Sequence, residues 1–129
     1  MSQPFVYIGT YTIRKGKLEE AKKMLQEHVE LVETNEPRLM AFNFYLDEEG
    51  SKVAVVQVHP DAASMEFHMQ VITKHLANAS EWLETVEIEQ IYGQPYEGMV
   101  ESFREYSPGT PITVLPVHLA GFTRTNAAR

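Results

Sequence analysis

The chain has 129 residues, 43% hydrophobic and 22% charged, a balance typical of globular domains and unlike disordered, collagenous or coiled-coil chains. Eleven basic residues against eighteen acidic ones give a net charge of −7, without the basic footprint of a nucleic-acid binder or a protein that adsorbs to anionic lipid. There is no cysteine, which excludes disulfides, thiolate nucleophiles, iron–sulfur clusters and cysteine-type zinc sites.

A single domain spanning 1–129 is expected from the length. Phe5 to Ile13 is rich in aromatic and β-branched residues and reads as a strand. A basic turn with Gly16 follows, then a helical period over Leu18–Thr34. Leu18, Ala21, Leu25, Val29 and Val32 form its apolar stripe. Pro37 ends this helix, because proline disfavours the helical conformation in the residue before it. Leu39–Asp47 and Lys52–His59 read as a hairpin around Glu48-Glu49-Gly50-Ser51. Asp61 is placed to cap a helix running from Ala62 to about Leu83, with Ile72-Thr73 and Asn78-Ala79-Ser80 as break points. Thr85–Gly93 reads as the fourth strand.

This order, β-α-β-β-α-β, is that of a ferredoxin-like α+β unit over residues 5–93. Both helices then lie on one sheet face, and a second subunit is expected to cover the other. Residues 94–129 form an extension: a short helix at Tyr96–Tyr106, then an extended segment at Ile112–Leu119. Pro116 argues for an edge position there or a crossing onto the other subunit. The last five residues are read as frayed. No apolar run approaches a membrane span and no signal-peptide pattern opens the chain, so a cytoplasmic location is expected.

The chain contains no phosphate loop, dinucleotide fingerprint, His-Glu-x-x-His or Gly-x-Ser-x-Gly motif. His68 and His75 lie two turns apart on one helix face, too far apart to chelate one metal as a pair, so no metal site is expected. His68 sits amid Met65, Met69 and Ile72. It reads either as a core histidine with satisfied ring nitrogens or as a general base facing a pocket. Asn43 and Tyr45 share a face of one hairpin strand, and Gln57 and His59 share a face of the other. Either cross-strand pairing gathers these four beside His68, or the face that carries them is merely amphipathic or lines a subunit interface. Tyr7 and Tyr11 flank Gly9 on the first strand, where a glycine marks a bulge or a place where a ligand approaches the backbone. Trp82 reads as helix-to-sheet packing.

Three stretches carry a family resemblance: GTYTIRKGKLEEAKKML, LMAFNFYLDEEGSKVAVVQVHPD and FHMQVITKHL. Residues 5–93 resemble the antibiotic biosynthesis monooxygenase domain of the dimeric α+β barrel superfamily. In that pattern His68 matches the first helix histidine, and His75 resembles the second with wider spacing. The family's Glu-x-Trp is replaced by Gln57 and His59. The asparagine and tryptophan of heme-degrading relatives fall at Gly9 and His68, which disfavours heme chemistry. The resemblance implies a homodimer and cofactor-independent oxidation of an aromatic phenol or quinol. His68 would be the base, and Asn43, Tyr45, Gln57, His59 and His75 would contact the substrate. The alternatives are a small-molecule binding or sensing module without turnover, and an isomerase or cyclase on the same scaffold.

Overall fold

The computed structural model describes residues 3–124. The elements are β1 (Phe5–Ile13), α1 (Leu18–Asn35), β2 (Ala41–Leu46), β3 (Lys52–His59), α2 (Ala62–Ile72), β4 (Leu83–Tyr92), α3 (Met99–Tyr106) and β5 (Ile112–Leu115), with a 3₁₀ turn at Ala79–Glu81. The architecture is α+β, built on the ferredoxin-like order the sequence predicts. The frayed tail expected at 125–129 lies outside the described residues.

One mixed sheet runs in the order β2-β3-β1-β4-β5. The first four strands pair antiparallel, and β5 joins the outer edge of β4 in parallel. The strand of the extension, β5, thus takes an edge of the sheet formed by its own chain. Pairing stops at Leu115, before Pro116, which has no backbone N–H for a ladder.

The pleat sends alternate residues to opposite faces. Phe5, Tyr7, Ile13, Val53, Val55 and Ile91 point to one face, where they meet Ala21 and Leu25 of α1, Met65 of α2, and Met99 and Phe103 of α3. All three helices therefore cover the same side. The other face carries Val6, Ile8, Val56, Val58 and Ile88, each half-buried within one chain.

Helix α2 is shorter than its apolar period suggests. It ends at Ile72, and the chain turns through Thr73–Asn78 with i→i+3 bonds such as Ala77 N–H to the Lys74 carbonyl. This interruption delivers Trp82, 2% exposed, into the cluster of Ile13, Ala21, Leu25 and Val53. On α1 the buried stripe takes His28 rather than Val29, which puts an imidazole where an apolar contact was expected.

Two rows of side chains cross the covered face. One is Phe42–Gln57–Tyr7–Ile91–Val114, the next Phe44–Val55–Gly9–Glu89–Ile112. Polar residues in these rows are buried against the helices, and they position the site.

Candidate active site

His68 is the centre of a buried polar group. It occupies the inward face of α2 between Met65 and Ile72. Its Nδ1 lies 3.0 and 2.9 Å from the two carboxylate oxygens of Glu36. The two side chains expose 1% and 2% of their surface. Glu36 is the C-cap residue of α1. A carboxylate there is set against the negative end of the helix dipole, so it relies on the imidazole for compensation. With Nδ1–H donated to Glu36, the ring's other nitrogen, Nε2, keeps its lone pair on the side away from the carboxylate. That is the arrangement of a histidine base oriented by a carboxylate.

The rings of Phe42, His59 and His28 surround His68 at centroid distances of 5.2, 6.0 and 6.2 Å. His59 is fully satisfied. Its Nε2 donates to Gln57 Oε1 at 2.8 Å, and its Nδ1 accepts from the Ser64 hydroxyl at 2.7 Å. Burial and the neighbouring His68 push its pKa down to about 3. His28 shares a 2.9 Å hydrogen bond between its Nδ1 and that of His75. Burial, then His75 and His68, push His28 down to about 3 as well. Both rings are therefore neutral at working pH and line the site as dipoles rather than charges.

These two values make the fold acid-sensitive. In the unfolded chain each histidine protonates near 6.5, while in the folded chain it stays neutral down to about 3. The unfolded state thus binds more protons between those values, and stability falls as pH drops through that window. The expected loss from about pH 7 to about pH 5 is on the order of 2–4 kcal/mol, with close to two protons taken up on unfolding. Urea unfolding across that range measures both. A flat profile would mean that these rings are not buried neutral.

A pocket of about 370 Å³ opens beside the group, lined by Glu36, Pro37, Arg38, Leu39, Ser64 and Phe67. Its size fits a small-molecule site. Arg38 is tied to Asp61 at 2.5 Å, and Phe67 is exposed at the rim.

The structure divides the substrate contacts expected from sequence. Gln57 and His59 are beside His68 on the covered face, and His75 reaches the group through His28. Asn43 and Tyr45 are not with them. The register pairs Phe42 with Gln57 and Asn43 with Val56, so even residues of β2 share a face with odd residues of β3. The expectation that all four converge is corrected by that one-residue parity. Phe42 and Phe44 face the histidines instead. Tyr45 is 60% exposed, and Asn43 lines a separate groove of about 290 Å³ between α1 and β2.

Sequence reading missed Glu36, Ser64 and Glu89. Glu36 appears in the sequence only as part of a helix stop. The signal for Glu89 was its parity with Ile91, which places a carboxyl on the covered face. Among the described residues, no cluster of three or more His, Asp or Glu is arranged to hold a metal ion, and no helix is long and apolar enough to cross a membrane.

No family model and no curated protein matches the sequence. Solved structures do match the fold. MupZ from Pseudomonas fluorescens aligns with a TM-score of 0.72 at 16% identity over 95% of both chains, a span that takes in α3 and β5. A candidate antibiotic biosynthesis monooxygenase from Bacteriodes thetaiotaomicron aligns at 0.59 and 19% identity, over 66% of this chain and 84% of its own. Another, from Nitrosomonas europaea, aligns at 0.60 and 16% identity, over 75% and 95%. The chain has the fold of these structures.

Proposed function

We propose that this chain, with the fold of the antibiotic biosynthesis monooxygenase structures, is a cofactor-independent oxygenase of an aromatic phenol or quinol. The observation that supports the reading is the buried His68–Glu36 pair. A carboxylate that fixes Nδ1–H leaves Nε2 to accept a proton, and a pocket lined by Glu36 and Ser64 adjoins the pair.

His68 Nε2 takes the proton of a phenolic hydroxyl. Glu36 stabilises the imidazolium that forms, as an orienting carboxylate does in a base–carboxylate pair. Pro37, Leu39 and Phe67 supply the pocket's apolar wall for a planar ring. The phenolate is electron-rich enough to reduce dioxygen. A C–O bond forms at the ring carbon para to the oxygen. That carbon loses its hydrogen as a proton, the O–O bond breaks, and the departing oxygen leaves as water. A phenol plus dioxygen thus becomes a quinone plus water, with one oxygen atom in each product. The chain's part is proton removal, orientation and exclusion of water.

The test uses α-naphthol as a probe with an oxygen electrode. The expected result is one dioxygen consumed for each para-naphthoquinone formed, without added flavin, heme or metal and undiminished by a chelator. Tight binding of the probe with no dioxygen uptake would instead identify a binding module.

A further inference from the structure

A second buried polar group lies on the same covered face, beneath α3, and has no part in the chemistry above. The Tyr7 hydroxyl donates to Glu89 Oε2 at 2.6 Å and is 3.0 Å from the Tyr11 hydroxyl. Both hydroxyls converge over Gly9. A Cβ added at that residue would stand 2.5 Å from each of them, so the glycine is required for the tyrosines to meet. Gly9 is also the β1 partner of Glu89 in the ladder. Tyr7, Gly9 and Glu89 thus form a built unit, walled by Phe103, whose ring meets Tyr7 edge-on at 5.5 Å.

Glu89 Oε1 is buried and, among the described residues, has no hydrogen-bond partner. The residue is 6% exposed, and among the described residues no lysine, arginine or histidine is bonded to it. Leaving such an atom unmet is expensive, so its retention calls for a partner in the working state. Burial raises the carboxyl's pKa, against the hydrogen bond from Tyr7, which lowers it.

We propose that Glu89 Oε1, supported by Tyr7 and Tyr11, is a ligand-contact group that hydrogen-bonds an uncharged oxygen of the bound aromatic molecule, a quinone or phenol oxygen distal to His68. Gln57, which flanks His68, and Glu89 stand on strands two apart and two residues out of line, roughly 12 Å from each other, a span suited to a fused-ring ligand with a hydrogen bond at each end. Methionines 65 and 99 fill the layer between the sheet and α2 and α3, and their unbranched chains can repack around a guest. The choice of a quinone or phenol oxygen rests on the function proposed above.

The test compares the native chain with Glu89→Gln and Glu89→Leu, using para-naphthoquinone binding and infrared spectra. The native chain is expected to show the carbonyl band of one protonated carboxylic acid at neutral pH, absent in Glu89→Gln and shifted when the quinone binds. Leucine is expected to weaken quinone binding about tenfold or more. Glutamine, which can still donate to the ligand and accept from Tyr7, is expected to retain most of it. Native affinity in Glu89→Leu, an infrared band that does not respond to the quinone, or no quinone binding by the native chain would each overturn the proposal. Should the leucine variant fail to fold, the infrared shift on the native chain decides. Quinone binding with a shifted band but no α-naphthol oxidation would refute the oxygenase reading and leave this one standing.

Discussion

Replacing His68 by glutamine is expected to lower turnover of α-naphthol by about 10²–10⁴, the usual loss when a general base is removed, while the fold survives. The amide can still donate to Glu36 and keep that buried carboxylate bonded. Alanine at the same position separates the two roles. It leaves the Glu36 carboxylate, 2% exposed, with no partner, and stranding one member of a buried pair is worth about 3–5 kcal/mol of stability. Urea unfolding and initial rates on both variants read the two effects. Glutamine should split activity from stability, and alanine should lose both. A glutamine variant that turns over like the native chain would reduce His68 to a packing and charge-compensating residue.

The second large effect concerns the sheet face away from the helices. Val6, Ile8, Val56, Val58 and Ile88 form an apolar surface there that one chain only half-covers, and such surfaces rarely stay open. A symmetric homodimer with two sheets face to face is expected. Val56 pairs with Ile8 on one side and Asn43 on the other, in the middle of that face. Val56→Asp would place two unpaired charges in the interface. Several kcal/mol of desolvation then weakens the dimer by about 10³-fold or more. Sedimentation should show the native chain dimeric at micromolar concentration and the variant monomeric, with an unchanged far-ultraviolet spectrum. Val117, Leu119 and Phe122, exposed by 82%, 94% and 79%, follow β5 and add apolar surface to this expectation. Truncation after Leu115 should weaken the same dimer. A native chain that sediments as a monomer contradicts both statements.

How far the sequence could be read depended on whether the signal was local. Strands β1 and β3 have the bounds that β-branched alternation predicts, because period-two burial is written into consecutive residues. The hydrogen bond from Ser64 N–H to the Asp61 carboxylate confirms the cap read from Pro60-Asp61. His68 was legible as a histidine on an apolar stripe. Its partner was not, since Glu36 comes from the end of another helix, 32 residues away. No spacing rule joins the two. Asn43 and Tyr45 were misplaced relative to Gln57 and His59 because a one-residue change of hairpin register reverses every face. The tyrosine–glutamate group depends on pairing between β1 and β4, 82 residues apart at Tyr7 and Glu89, and only the assembled sheet brings it together. Gly9 reads from sequence as a bulge or as a place where a ligand approaches the backbone. What approaches it is the chain's own tyrosine hydroxyls.

Cofactor-independent oxygenation is read most directly from the fate of the oxygen atoms. The chain, freed of metal by a chelator, is incubated with α-naphthol under oxygen-18-labelled dioxygen, and the quinone is analysed by mass spectrometry. One labelled oxygen per quinone is expected, with no accumulation of hydrogen peroxide and loss of labelling in His68→Gln. An unlabelled quinone with equimolar peroxide, or no product at all, would contradict it.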